Sequence, residues 1–265
     1  MERPSRILYN ETVLPGYFRM GISWKTPEII PGHFVMLKVS DGLDPFLRRP
    51  LGVYNVLGGK GAGAFRGGGI ELLYKVVGKG TKILSLKRPG ESVGVLGPLG
   101  NGFPTACRPS RKAIIIGGGM GVVPLYLLAK RLKNVAMLFG VRTKKEAALV
   151  KDFKGLEITL LLSSEDGSIG HKGLVTDLLR QEITPASVIY ACGPLGMLKG
   201  VSVIANSAGA RCYVSLERSM ACGIGVCLGC AVKASAHKEK ADKEYRMVCS
   251  DGPVFNAEDI DWGSL

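Results

Sequence analysis

Ala113-Ile-Ile-Ile-Gly117-Gly118-Gly119-Met120-Gly121-Val-Val-Pro124-Leu-Tyr-Leu-Leu-Ala129 is the stretch whose reading decides the fold. It is the most hydrophobic run of the chain, yet glycines and Pro124 interrupt it and it falls short of the roughly 20 apolar residues a membrane span needs. A buried strand, a tight turn and a helix account for it better. Backbone amides at a helix N-terminus can bind a pyrophosphate through unpaired N–H groups and the positive end of the dipole, and Gly117, Gly118, Gly119 and Gly121 would let a phosphate approach. The spacing is not G-x-G-x-x-G, so a merely tight strand-to-helix turn stays open as the other reading.

Downstream the same rhythm repeats. Segments 113–116, 135–139 and 158–162 read as strands, followed by helical patterns at 123–132, 144–149 and 174–181; strands at 188–192 and 212–216 flank a helix at 196–208. Such alternation predicts a doubly wound parallel α/β sheet. A second turn, Cys192-Gly193-Pro194, falls at the carboxyl end of a strand of that sheet, where α/β ligands bind. Cys192 could lie beside a nicotinamide ring or simply pack as a small apolar residue, as Cys107 and Cys212 are read to do.

Upstream, the pattern is short β segments at 6–13, 17–24, 33–39, 51–56, 70–77 and 92–95, with Gly and Pro between them and one helix at 81–86. This predicts a small antiparallel β-barrel, with the low-complexity stretch 58–69 as a hairpin tip. The expected division is a barrel at 1–105, an α/β domain at 106–212 and a metal module at 213–265. In the barrel, Arg49-Pro50-Leu51-Gly52, Leu73-Tyr74-Lys75 and Gly80-Thr81 could together hold a flavin ring and its diphosphate. By residue type alone, Arg48 and Arg49 could equally be surface charges and Tyr74 a core residue.

The module rests on Cys222, Cys227, Cys230 and Cys249, whose x4, x2, x18 spacing is that of a plant-type [2Fe–2S] site. Three thiolates on one loop reach two adjacent irons while the fourth arrives from a later segment. Gly223, Gly225 and Gly229 let the loop turn tightly and bring N–H groups to the sulfurs. A structural zinc is the alternative, since Cys227-x-x-Cys230 alone would suit one, but Cys249 has no short-spaced mate.

The 265 residues are 46% hydrophobic and carry a net charge of +13. That content supports packed cores, and without clustered basic and aromatic residues the charge does not point to nucleic acid; the densest basic stretch, 233–243, is interleaved with Glu239 and Asp242. A weaker reading is a positive field for anionic cofactors and an acidic partner. The start of the chain shows no secretory pattern, so a cytoplasmic setting with reduced thiols is expected, and no membrane association. His33, His171 and His237 are scattered, and no catalytic residue is expected.

Barrel, dinucleotide domain and terminal cluster together resemble the ferredoxin reductase superfamily. More narrowly, nearly the whole chain resembles the electron-transfer subunits of type B dihydroorotate dehydrogenase. The likeness rests on the barrel segments above, the glycine turn, Ser164-Glu-Asp-Gly-Ser-Ile-Gly170 with Lys172-Gly-Leu-Val-Thr-Asp177, Cys192-Gly-Pro194, and Glu217-Arg-Ser-Met-Ala-Cys222 through Cys249-Ser-Asp-Gly-Pro-Val-Phe255. The resemblance implies FAD in the barrel, NAD in the second domain and a [2Fe–2S] cluster on the four cysteines. It also implies a separate FMN-containing catalytic subunit that oxidises dihydroorotate for pyrimidine synthesis, in a heterotetramer of two chains of each kind.

Two positions depart from the family pattern: Gly52 stands where serine is usual and Lys75 where arginine is. A hydroxyl contact and a planar phosphate-binding fork are thereby absent. Glu165 and Asp166 favour a free ribose hydroxyl, hence NAD, while Arg142 could meet a 2′-phosphate. A related iron–sulfur flavoprotein reductase subunit, exchanging electrons between NAD(P)H and ferredoxin or resembling a sulfide dehydrogenase subunit, is the neighbouring reading. A one-electron relay must bring its cluster close to the partner's flavin, so the surface around 222–230 is expected to be a protein interface with few charges at its centre.

Overall fold

In the computed structural model, which describes residues 3–25, 28–58, 68–106, 111–235 and 244–265, alternating side chains build the first layer. The strands are β1 (Arg3–Leu14), β2 (Tyr17–Ser23), β3 (Phe34–Lys38), β4 (Arg49–Leu57), β5 (Gly69–Lys75) and β6 (Ser92–Leu99). They close into an antiparallel barrel in the order β1-β2-β5-β4-β3-β6. Its interior takes every second residue, such as Val35 and Leu37 of β3, Ile70 and Leu72 of β5, and Val93 and Val95 of β6. Helix α1 (Lys79–Leu86) follows β5, with Leu84 in the same core. All six expected strands are present; within the expected hairpin tip, residues 59–67 lie outside the described residues, as do Cys107 and His237.

The second layer begins with the glycine-turn stretch. It forms β7 (Ala113–Gly118), a single 3₁₀ turn at Gly119–Val122 and α2 (Val123–Arg131). Then come β8 (Val135–Val141), β9 (Thr159–Ser164), β10 (His171–Lys172), α3 (Val175–Glu182), β11 (Val188–Cys192), α4 (Leu195–Ser207) and β12 (Arg211–Ser215). Three short strands finish the chain: β13 (Ala231–Lys233), β14 (Tyr245–Met247) and β15 (Val254–Asn256). The sheet order is β10-β9-β8-β7-β11-β12-β15, parallel except for β15. Helices α3 and α4 cover one face, over Ile114, Ile116 and Ile189; α2 and the 144–155 segment cover the other, over Ile115, Met137 and Tyr190. With both faces covered, β7 and β11 are buried along their whole length.

Three details differ from the sequence reading. The helix expected at 144–149 is a run of 3₁₀ turns, Lys144–Gly155, kinked at Val150. Leu149, Val150 and Phe153 pin it to the core at the spacing an α-helix face would also use, so this pattern does not separate the two forms. The cysteine-rich module, where the sequence reading placed no strand beyond 212–216, holds the antiparallel pair β13 and β14. Finally, β15 pairs antiparallel with β12, so the end of the chain is stitched onto the α/β sheet.

Candidate functional site

Strand order reverses between β7 and β11, and at such a switch point the loops leaving the strands part to form a crevice. A cavity of 760 Å³ occupies it, lined by Gly118, Gly119 and Gly121 from one turn and by Gly193 and Pro194 from the other. The two turns touch closely: a Cβ at Gly121 would sit 2.0 Å from the Cys192 carbonyl oxygen. Gly117 is set back in β7, packed against Met137, Phe139 and Leu125 and away from the lining.

Farther along this cavity, the ends of β8 and β9 contribute Arg142, Ser163 and Glu165. Glu146 accepts from the Arg142 backbone N–H at 3.1 Å and from the Tyr17 hydroxyl at 3.2 Å, and its carboxylate lies 3.9 Å from the Arg142 guanidinium. A carboxylate therefore already accompanies the cation that could meet a 2′-phosphate. Glu165 faces the cavity, whereas Asp166 turns away to accept from Ser168 N–H and hydroxyl. The Ser163 hydroxyl is buried at the cavity wall without a hydrogen-bond partner among the described residues, as a nucleotide-binding wall would leave it.

A second cavity, of 390 Å³, lies between the barrel and the same sheet edge. Arg49, Pro50, Leu51, Gly52, Leu73, Tyr74, Lys75 and Thr81 line it, so the three barrel segments come together in space. Gly80 stands behind them, where a Cβ would meet the Arg49 guanidinium at 2.2 Å. Its missing side chain is what lets Arg49 lie across the start of α1. Gly52 has a similar reason: a Cβ there would be 3.2 Å from Val123, so α2 closes on β4 in the space a serine would fill.

Tyr74 is buried, and its hydroxyl donates to Asn10 Oδ1 at 3.0 Å. The Thr81 hydroxyl donates to the Gly78 carbonyl at 3.0 Å and accepts from Val77 N–H at 2.9 Å, holding the turn into α1. Cys192 belongs to this cavity and not to the first, and burial raises its thiol well above the ordinary range, leaving it neutral.

The two cavities share Lys75, Met120 and Glu217. Lys75 holds its ammonium 4.9 Å from the centre of the Tyr17 ring. Glu217 follows β12 at the carboxyl edge of the sheet; its side chain is exposed to the cavities it lines, and the protein packed around it raises its carboxyl above the ordinary range. Residue-type reasoning missed Ser163, Met120 and Glu217; position at the carboxyl end of a strand of a parallel sheet, in β9 for Ser163 and just after β12 for Glu217, was the available signal.

From Glu217 the chain runs past Met220, still on the cavity wall, to Cys222. The β13–β14 hairpin explains the long final spacing of the cysteines. Cys230 immediately precedes β13, Cys249 follows β14, and Ala231 pairs with Met247. Cys249 N–H then points at Cys230 sulfur at 3.4 Å, and both thiols are buried. Cys222 and Cys227 form the other, more exposed pair, with Cys227 N–H 3.4 Å from Cys222 sulfur. Ile224 N–H reaches Cys222 at 3.5 Å and Gly225 N–H reaches Cys249 at 3.1 Å.

These N–H groups, Ile224 first, draw the Cys222 thiol down to about 6, whereas burial pushes Cys249 up to about 11. Two cysteine pairs ringed by N–H donors suit a two-iron centre, in which each iron takes two sulfurs. Among the described residues, no three His, Cys, Asp or Glu side chains are gathered as a single ion would need.

Around the exposed pair several large apolar side chains stand in solvent. Phe46 (74% exposed), Val226 (75%) and Leu43 (82%) stand out, with Leu47, Ile224 and Leu228 beside them in sequence. A hollow lined by Leu43, Phe46, Leu47, Cys222 and Cys227, and on its barrel side also by Lys38, Asp41 and Arg48, joins the barrel segment to the cysteine loop. Contiguous exposed apolar groups of this kind mark protein-binding surfaces. No helix among the described residues is long and apolar enough to cross a membrane.

A family model described as the iron–sulfur cluster binding domain of dihydroorotate dehydrogenase B matches residues 217–261. The dihydroorotate dehydrogenase B (NAD(+)) electron transfer subunit of Caldanaerobacter subterraneus subsp. tengcongensis is 38% identical over 256 residues, covering 97% of each chain. That of Geobacillus thermodenitrificans is 40% identical over 235 residues, covering 87% of this chain and 86% of its own. Among solved structures, a chain of an NADH-dependent reduced ferredoxin-NADP oxidoreductase, described for flavin-based electron bifurcation, matches with a TM-score of 0.81 and 31% identity, covering 98% of this chain and 91% of its own. A ferredoxin NADP+ reductase from Neisseria gonorrhoeae with bound FAD and NADP matches at 0.65 and 16% identity, over 83% and 95%, a likeness of fold.

Proposed function

The chain belongs to the family of dihydroorotate dehydrogenase B electron transfer subunits, and on that premise we propose that it carries electrons from the FMN of a dihydroorotate-oxidising subunit to NAD+ in pyrimidine synthesis. The proposed ligands of the [2Fe–2S] centre are Cys222, Cys227, Cys230 and Cys249. FAD is assigned to the 390 Å³ cavity and NAD to the 760 Å³ cavity. A flavin exchanges hydride with nicotinamide and single electrons with an iron–sulfur centre, so it belongs between the two. The observation that carries this reading is the order of the sites along the protein: the cavities meet at Lys75, Met120 and Glu217, and the flavin-side wall continues through Met220 to Cys222.

The chain's own residues bind and orient. Arg49 and the start of α1 offer positive charge to a diphosphate, and the turns at 118–121 and 193–194 offer backbone to a second one. Neutral Cys192 and Met120 give the flavin-side cavity an apolar wall next to Lys75 and Glu217. Glu165 is the group suited to a ribose diol, which supports NAD over NADP. Phe46, Leu43 and Val226 would seat the catalytic subunit over the exposed cysteine pair, with Lys38, Asp41 and Arg48 as charged groups at the side of the same hollow.

The reading carries with it a heterotetramer of two chains of each kind and a cytoplasmic setting, because free thiolates need a reducing compartment. It also carries the division into barrel, α/β domain and cluster module at about 105 and 212, although β15 ties the module back to the sheet.

Co-expression with a catalytic subunit tests it. The expected result is co-elution, with iron, sulfide and FAD in the complex and dihydroorotate-dependent reduction of NAD+. The solved ferredoxin-NADP oxidoreductase match favours one second reading, a subunit exchanging electrons with ferredoxin. Flavin reduction by reduced ferredoxin, with no response to dihydroorotate in the complex, would select that instead.

A further inference from the structure

β3 alternates between two environments. Val35 and Leu37 point into the barrel, whereas Phe34 and Met36 face outward and are nevertheless buried, Met36 completely. Phe34 lines the flavin-side cavity. Met36 lies across from Pro50 of β4, which lines the same cavity, and from Leu96 of β6 on its other side. Over Met36 comes the first residue after Cys222: at Gly223, φ is +74° and a Cβ would stand 2.5 Å from Met36 Cγ and 3.0 Å from its sulfur. The Met36 thioether is therefore the floor of the cysteine loop, and it lies on the barrel wall that faces the flavin-side cavity.

Met36 is the apolar part of the loop's support. Its own large apolar residues, Ile224, Val226 and Leu228, are exposed, so they contribute no buried anchor. What fixes the loop is the N–H contacts to sulfur, the seat of Gly223 on Met36 and the approach of Gly225 to Ser250, where a Cβ would stand 2.8 Å from the hydroxyl oxygen. Methionine suits this place, since an unbranched, polarisable side chain fills an irregular gap under a glycine turn. We propose that Met36 is a positioning residue for the metal centre, setting the separation and packing between the Cys222–Cys227 loop and the flavin cavity across which single electrons pass. This rests on the functional reading above. Shortening the side chain would leave a void that the loop relaxes into only partly, moving the N–H groups relative to the sulfurs.

The test uses the co-purified complex and compares wild type with Met36→Leu, Met36→Val and Met36→Ala. Stopped-flow reduction of FAD is driven in turn by dihydroorotate, which must cross the Met36 gap, and by NADH, which does not. In the Ala variant the dihydroorotate-driven rate is expected to fall about tenfold or more, as small misplacements do, while the NADH-driven rate stays near wild type. The volume-conserving Leu variant should recover most of the loss.

Iron release to a chelator gives a readout apart from activity, and should be faster in the Ala variant and near wild type in Leu. Wild-type rates and iron release in both Val and Ala variants would overturn the proposal, as would an equal fall in both flavin-reduction rates. If Met36→Ala binds no iron, the Val variant decides. A wild-type complex without iron or flavin would instead refute the functional reading itself.

Discussion

The Tyr54 hydroxyl of β4 donates to Asp152 Oδ2 at 2.8 Å, joining the barrel to the 3₁₀ segment of the α/β layer. Arg19 of β2 reaches the same carboxylate oxygen, and the Tyr54 ring stacks on Tyr126 of α2 at 4.6 Å between centroids. One carboxylate thus serves two barrel donors, and the seam that bounds the cofactor cavities is held partly by it.

Asp152→Ala leaves Tyr54 and Arg19, both buried or half-buried, without that acceptor. The expected loss is roughly 1–3 kcal/mol, read as a lower urea midpoint. In Tyr54→Phe the Asp152 change should cost less, since one stranded donor is gone, and a double-mutant cycle measures the difference.

Gly121→Ala should damage the nucleotide side first. Its Cβ would fall 2.0 Å from the Cys192 carbonyl, a backbone atom that cannot rotate away, so the two turns must separate. NADH affinity is expected to drop by at least about tenfold, equal to about 1.4 kcal/mol, in a titration followed by flavin absorbance.

Glu165→Ala removes the carboxylate proposed for the ribose diol. NADH should bind about 10–100-fold more weakly, as for loss of a charge-assisted hydrogen bond, with NADPH little affected. Glu165→Arg should narrow or reverse the preference; the ratio of NADH to NADPH KM measures it.

Phe46→Asp and Val226→Asp place charge on exposed positions, where folding tolerates it. Each should weaken association with the catalytic subunit by at least about tenfold, since a buried unpaired charge costs more than the contact it replaces. Iron content and NADH-driven flavin reduction should stay at wild-type levels. Size-exclusion and calorimetric titration measure the association.

Glu217 predicts a pH dependence. Its carboxyl, though exposed to the cavities, titrates higher in the folded chain than in the unfolded one, because nearby protein partly strips water from the charge. The folded state therefore binds more protons between the two values, and stability falls as pH rises through that window. Glu217→Gln removes this loss. Its thermal midpoint should gain on wild type as pH rises from about 5, just above the ordinary glutamate range, and then level off. A gain that shrinks with rising pH would refute the environment described for Glu217.

The spacing of Cys222, Cys227, Cys230 and Cys249, the alternation of β2 to β6 and the glycine turn after β7 are local patterns. Period two, a strand-to-helix switch and a short-loop cysteine set are each written within a few to a few tens of residues, so the sequence alone determined barrel, doubly wound sheet and thiolate module. It also brought forward Arg49, Tyr74, Lys75 and the two glycine turns as candidates.

What it could not determine depends on contacts between distant segments. That β13 and β14 pair to bring Cys249 to Cys230, that β15 joins β12, and that Gly80 yields its space to Arg49 are facts of tertiary packing. So are the shared wall at Lys75, Met120 and Glu217 and the seat of Gly223 on Met36. The physical reason is range. Hydrogen-bonding period and backbone sterics act between near neighbours and leave their mark in the sequence, whereas packing depends on the complementary shapes of surfaces that meet only once the chain has folded.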